Sequence, residues 1–273
     1  VTGDKKDKGM FTQQIDAEPI GRWSMEGRFI INHEFRFIYC PIPKNASSSL
    51  KALCLLLEKE HDYEKVLQPN WLHSYANQHL TLSRYSRAEA QAFLNDPRYF
   101  KFCIVRNPWS RLVSAYLDKF LQTPTLPWIA KEIDNIYRYN GREPNCQKSI
   151  SFRQFVEYLA AAHGQAPNIH WRPQYHFLGA VQFHFMARFE TLAEDFQVIK
   201  QVAKLPVDLP WRNQTAHKQA FAQAQDWADL YPAELRGCAT LPPYQKFYTP
   251  DLVEIVRQRY QTDIELFGYE FAA

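Results

Sequence analysis

Two segments of the chain share one pattern: a short, almost unbroken apolar run, a turn of proline and small polar residues, then apolar positions spaced as on a helix. In the first, residues 35–40 (FRFIYC) are aromatic-rich and β-prone, and Pro41 and Pro43 cannot continue a central strand. Residues 45–49 are small or polar, and Leu50, Leu53, Cys54 and Leu57 then fall at i, i+3, i+4, i+7. That spacing predicts a helix starting near the serines. In the second, residues 99–105 (YFKFCIV) read as a strand buried on both faces, and Arg106-Asn107-Pro108 breaks it. Leu112, Ala115, Tyr116 and Phe120 then share one helical face. Two parallel strands delivering their C-terminal turns to one sheet edge would form a crevice, the usual ligand position in open α/β sheets.

The remaining pattern is coarser. Residues 63–85 are aromatic and histidine-containing without a clean period, and read as loop. Ser86-Arg87-Ala88-Glu89 has the form of a capping box, opening a short helix that stops near Asp96-Pro97. Residues 124–149, broken by Pro124, Pro127, Gly141 and Pro144, suggest a lid or a substrate-facing insertion. Ser151 is placed to cap a helix carrying Phe152, Phe155, Val156 and Leu159. Residues 181–189 alternate as a strand, Thr191 to Glu194 repeats the capping-box form, and residues 205–248 are irregular and proline-rich. Thr249-Pro250 opens a last helix, after which Tyr260, Phe267 and Tyr269 are expected in the core. Residues 1–20 read as a disordered tail, polar and without hydrophobic periodicity up to about residue 16, leaving residues 21–273 as one α/β domain.

Composition narrows the function. A chain of 273 residues, 46% hydrophobic, can bury a substantial core. Its net charge of +3 is too small for general nucleic-acid binding. Nothing resembles a signal peptide, and no apolar run approaches the ~20 residues that span a bilayer. The 5 cysteines, an odd number without CxxC or metal-site spacing, read mostly as small buried apolar residues, with Cys40, Cys54 and Cys103 inside apolar segments. Of two glycosylation sequons, Asn45-Ala46-Ser47 and Asn213-Gln214-Thr215, the first lies in the proposed anion loop, where a glycan would block it. That placement leans against a secretory route.

The chemistry concentrates at the two turns. Around residues 44–49 the first free N–H groups of a helix, three hydroxyls and the Lys44 ammonium would converge on a phosphate or sulfate. The stretch lacks GxxxxGK[ST], so it is not an ATP or GTP P-loop of the usual kind. The second turn supplies Arg106, whose planar guanidinium suits a terminal phosphate, and Ser114 two helical turns later.

Together CPIPKNASSSLK (40–51) and FCIVRNPWSRLVSAYLDKF (102–120) resemble the 5′ and 3′ phosphosulfate-binding motifs of sulfotransferases that use 3′-phosphoadenosine 5′-phosphosulfate (PAPS). The similarity is to the Golgi carbohydrate sulfotransferases, the chondroitin and dermatan 4-O and HNK-1 group. HWRPQ (170–174), ARFETLAED (187–195) and DIELFGY (263–269) extend it in the same order. The resemblance implies a P-loop-like α/β domain with a central, mainly parallel sheet flanked by helices, and O-sulfation of a hydroxylated acceptor, expected to be a carbohydrate. It implies that Lys44, Asn45, Ala46, Ser47, Ser48 and Ser49 hold the 5′-phosphosulfate, that Arg106 and Ser114 hold the 3′-phosphate, and that Lys44 stabilises the leaving group. It assigns the base that takes the acceptor proton to His73, with His79 as alternate. His79, His170 and Arg172 are candidates for substrate contact; His170 and Arg172 could equally complete the PAPS pocket, or Trp171 and Pro173 pack a buried turn. Arg111 and Lys119 could add positive potential near the donor, but read first as solvated helix-surface cations. No metal is expected. Ser47, Ser48, Ser49 and Leu50 stand where the group tends to have Cys, Thr, Asn and Trp, and acceptor identity is not carried across. Rival readings are a small alcohol, lipid or carrier-bound hydroxyl as acceptor, a nucleotide-dependent kinase, and a non-catalytic nucleotide- or glycan-binding module. The expected compartment is the cytoplasm, as for a soluble bacterial-type enzyme, with the Golgi lumen as alternative if the chain is a truncated luminal domain.

Overall fold

A computed structural model describes residues 25–58, 66, 68–145, 148–161, 168–210, 226–238 and 240–271. The expected tail at 1–20 and the Asn213 sequon lie outside the described residues. Contacts divide the chain into two compact units, Val1–Val105 with Gln174–Arg212 and Arg106–Pro173 with Asn213–Ala273.

The first unit holds a four-stranded sheet in the order β1 (Ile30–Asn32), β2 (Phe37–Cys40), β3 (Phe100–Val105), β4 (Phe185–Arg188). β1 runs antiparallel to β2, whereas β2, β3 and β4 are mutually parallel, with Tyr39 opposite Phe102 and Ile104 opposite Ala187. The expected mainly parallel α/β sheet is therefore present. Phe37, Tyr39, Phe102, Ile104 and Ala187 lie in one core with Leu50, Leu53, Leu57, Leu72, Phe196 and Ile199, so helices cover that face. Each fully buried Leu there contributes about 1.5–3 kcal/mol relative to an exposed one. Helix α1 (Ser47–Leu57) begins at the serines, as the spacing predicts, and buries Leu50, Leu53, Cys54 and Leu57.

The loop expected at 63–85 is corrected, because Pro69–His79 forms helix α2. Its apolar stripe is only Leu72 and Ala76, i and i+4, too narrow to register as a period, and Pro69 opens it at a position where no N–H is needed. Helix α3 (Arg87–Asn95) carries the capping box as read: Ser86 Oγ accepts from the Glu89 N–H and Glu89 Oε2 from the Ser86 N–H, at 3.3 and 2.9 Å. At Thr191 the capping-box reading is replaced. Helix α7 (Leu192–Val202) has no side-chain cap, and Asp195 Oδ2 instead accepts from the Arg188 N–H at 2.7 Å and the Thr191 hydroxyl at 3.1 Å.

The second unit is helical, with α4 (Pro108–Tyr116), a π-helical turn at Leu117–Gln122, α5 (Pro127–Tyr139), α6 (Phe152–Ala161), α8 (Pro232–Arg236), α9 (Pro250–Arg259) and α10 (Gln261–Phe267). The segment 124–149, expected as a lid or a substrate-facing insertion, contains α5, which sends Ile129, Ile133 and Ile136 into the core of this unit. Ser151 Oγ accepts from the Gln154 N–H at 3.3 Å ahead of α6, and Tyr260, Phe267 and Tyr269 are buried, both as expected. Cys40, Cys54 and Cys103 are buried free thiols.

Candidate active site

The chain leaves β2 and β3 at the same sheet edge, because the strands are parallel and Cys40 lies opposite Cys103. β2 opens into the turn at 41–46. Lys44 and Ala46 there adopt left-handed φ values of 72° and 58°, which non-glycine residues rarely hold without support. Asn45 supplies it. The residue is fully buried, and its Nδ2 donates to the Ile104 carbonyl at 2.8 Å and to Gln174 Oε1 at 2.6 Å, tying the turn to β3 and to the segment before β4. Asn45, expected among the ligand contacts, uses its amide nitrogen to fix the loop. Gln174, the last residue of HWRPQ, was not singled out, and only a fold that brings the two motifs together reveals its partner.

Ala46 occupies the cap position of α1 and has no side-chain oxygen to occupy the first-turn N–H groups. The helix start, with half-buried Lys44, Ser47 and Ser48 around it, therefore keeps the character of an anion site. Ser48 Oγ lies 3.2 Å from Nε2 of His73, on α2. Nδ1 of the same ring lies 3.3 Å from Lys51 Nζ, which donates to Asn77 Oδ1 at 2.8 Å. Lys51 is buried, and desolvation, helped by the Arg28 charge and opposed by Cys54, pulls its ammonium down to about 8. Lys51 and Asn77 were missed because a lysine one turn into an apolar helix reads as a snorkelling surface residue. His79 sits at the exposed C-terminal end of α2, tilted against Tyr75 with ring centroids 4.2 Å apart, and its carbonyl accepts from Arg84. Of the two histidines, the structure joins His73 to the loop.

In the second unit, Asn107 caps α4: its Oδ1 accepts from the Trp109 and Ser110 N–H groups at 3.1 and 3.4 Å, while Nδ2 donates to the Glu270 carbonyl at 2.8 Å. Arg106 Nε donates to Ser110 Oγ at 3.0 Å. Ser110 and partly exposed Ser114 are four apart on α4, so the arginine and both hydroxyls follow one helical row. Arg111 is corrected from surface cation to structural donor. It is 2% exposed, and its guanidinium donates to the carbonyls of Arg172 and Ile169 at 2.7 and 3.5 Å. Lys119 also differs, pairing with Asp118 at 3.0 Å and lying over the Trp128 ring. His170 stacks on Trp128 at 5.3 Å and holds Asn168 Oδ1 through Nδ1 at 2.7 Å, while the backbone of Arg172 serves Arg111. Trp171 is buried, and its carbonyl accepts from the Tyr260 hydroxyl at 2.6 Å. No helix among the described residues is long and apolar enough to cross a membrane, and no group of three or more His, Cys, Asp or Glu among them could hold a metal.

The chain is 31% identical over 186 residues to carbohydrate sulfotransferase 11 of Mus musculus, covering 64% of this chain and 52% of that protein. It is 31% identical over 162 residues to carbohydrate sulfotransferase 10 of Homo sapiens (58% and 43% covered), and 27% over 266 residues to carbohydrate sulfotransferase 14 of Danio rerio (92% and 64%). The chain thus spans about half the length of the curated relatives it matches. No solved structure matches it. The expectation of a bacterial-type cytoplasmic enzyme is corrected by these relatives, which are animal carbohydrate sulfotransferases and fit the Golgi-lumen alternative. With a model of the sulfotransferase family matching residues 27–270, the chain belongs to that family.

Proposed function

We propose that residues 21–273 act as a PAPS-dependent sulfotransferase domain that transfers a sulfuryl group to a hydroxyl of a carbohydrate acceptor. The observation that carries this reading is the turn into α1, where Ala46 leaves the helix start uncapped and Ser48 meets His73 at 3.2 Å. A phosphosulfate fits such a start, since backbone N–H groups and the helix dipole both favour an anion there. When bound, PAPS supplies the activated sulfuryl group and a phosphate leaving group.

Lys44, Ala46, Ser47, Ser48 and Ser49 bind the 5′-phosphosulfate, and Asn45 holds their backbone in place through Ile104 and Gln174. Lys44 neutralises charge that grows on the 5′-phosphate as the sulfur–oxygen bond breaks. His73 accepts the proton of the acceptor hydroxyl as its oxygen bonds to sulfur, and later returns that proton to solvent. Arg106 and Ser114 bind the 3′-phosphate, a role suited to a guanidinium already oriented by Ser110. His170 and Arg172 contact the acceptor. The carbohydrate class follows the names of the animal relatives.

Incubating the protein with 35S-labelled PAPS and a panel of glycans and small alcohols tests the proposal. Label is expected on a glycan hydroxyl. Label only on small alcohols would replace the acceptor class, and PAPS binding with no transfer to any acceptor would reduce the domain to a binding module.

A further inference from the structure

Ser48, His73, Lys51 and Asn77 form one continuous hydrogen-bonded row between α1 and α2, running from half-buried Ser48 and His73 through buried Lys51 to exposed Asn77. Ser48 and Lys51 are three apart on α1, and His73 and Asn77 four apart on α2, so each pair shares a helix face. A lysine that is 7% exposed within this row carries a desolvation penalty that simple packing would avoid. The role of base given to His73 above leaves Lys51 without a task.

The imidazole supplies one. A neutral ring carries one N–H, and its neighbours decide which nitrogen holds it. When Lys51 is an ammonium, it donates to Nδ1, the ring proton sits on Nε2, and that nitrogen can only donate towards Ser48. When Lys51 is an amine, its lone pair accepts from Nδ1–H while it still donates to Asn77 Oδ1. Nε2 then presents a lone pair beside Ser48, where a hydroxyl proton can be taken. We propose that Lys51 is the positioning residue that sets the tautomer of His73, its deprotonation turning Nε2 from hydrogen-bond donor into base.

This inference rests on the proposed role of His73. The proton Lys51 loses goes to solvent, and the ring proton moves from Nε2 to Nδ1 by exchange, so no further reactant is needed. Burial and the charge of Arg28, on the 3₁₀ turn Met25–Arg28, favour the amine; Cys54, on α1 itself, opposes it. These influences put the ammonium at about 8, within reach of physiological pH.

The deciding experiment is long-range 1H–15N NMR of the ring nitrogens of His73 in the whole resting protein, titrated through about one unit either side of the lysine value. The Nε2–H tautomer is expected on the acid side and the Nδ1–H tautomer on the basic side; one tautomer throughout overturns the proposal. Lys51→Arg, a permanent cation, should hold the Nε2–H tautomer at every pH and lower turnover on the basic side by about tenfold or more, with affinity for 3′-phosphoadenosine 5′-phosphate unchanged. Lys51→Met should erase the step in both tautomer and rate. A Lys51→Arg profile that follows wild type overturns the proposal. Because the NMR titration needs neither substrate nor variant, it decides the pairing even if Lys51→Met fails to fold, and separately from any failure of sulfuryl transfer.

Discussion

The two turns at the C-terminal ends of β2 and β3 look alike in sequence and solve opposite problems. Before α1 the cap position is Ala46, in a left-handed conformation with nothing to offer the first-turn N–H groups. Before α4 it is Asn107, whose side chain already accepts from two of them. In the proposed site, the first turn meets the anion with its backbone, whereas the second uses side chains, Arg106 and Ser114. A strained backbone cradle suits a group whose charge changes during reaction, and an arginine on a capped helix suits a phosphate that is only held.

The comparison can be broken at each point. His73→Ala, removing the proposed base beside the open turn, should lower turnover by roughly 10²–10⁴-fold in the 35S-transfer assay, with little change in donor affinity by calorimetry. Near-normal turnover would remove His73 from the mechanism. Lys44→Ala should lower the rate by about 10²–10³-fold if the ammonium acts on developing charge; a loss confined to donor affinity would make it a binding residue. Arg106→Ala should leave single-turnover transfer at saturating donor nearly intact and weaken binding of the 3′-phosphorylated nucleotide by about 10–100-fold, the strength of a charge-assisted hydrogen bond. Asn107→Ala, which strips the cap from the closed turn, should cost about 1 kcal/mol of stability in a denaturant titration and leave nucleotide affinity unchanged. A large affinity loss there would mean that both helix starts serve the ligand.

Much of this was legible in the sequence, for identifiable reasons. β2, β3 and α1 carry dense apolar patterns, whereas the three residues of β1 are too few to show one, and Ser86-x-x-Glu89 is a local signal that needs no tertiary context. Helix α2 escaped notice because burial of Leu72 and Ala76 alone leaves nine of its 11 positions open to polar or half-exposed residues. Missing that helix hid the row in which His73 touches Ser48 and Lys51. Arg111 was misjudged because periodicity cannot show that backbone carbonyls at 169 and 172 await a buried guanidinium. Asn45 and Gln174 are 129 residues apart, and their bond exists only once the motifs are folded together.

The division of labour between the turns is tested most directly by calorimetric titration of wild type, Lys44→Ala and Arg106→Ala with 3′-phosphoadenosine 5′-phosphate and with 5′-AMP. Wild type should prefer the bisphosphate, Lys44→Ala should keep that preference while binding both nucleotides more weakly, and Arg106→Ala should lose it. Equal wild-type affinity for the two nucleotides, or the same loss of preference in both variants, would contradict the account.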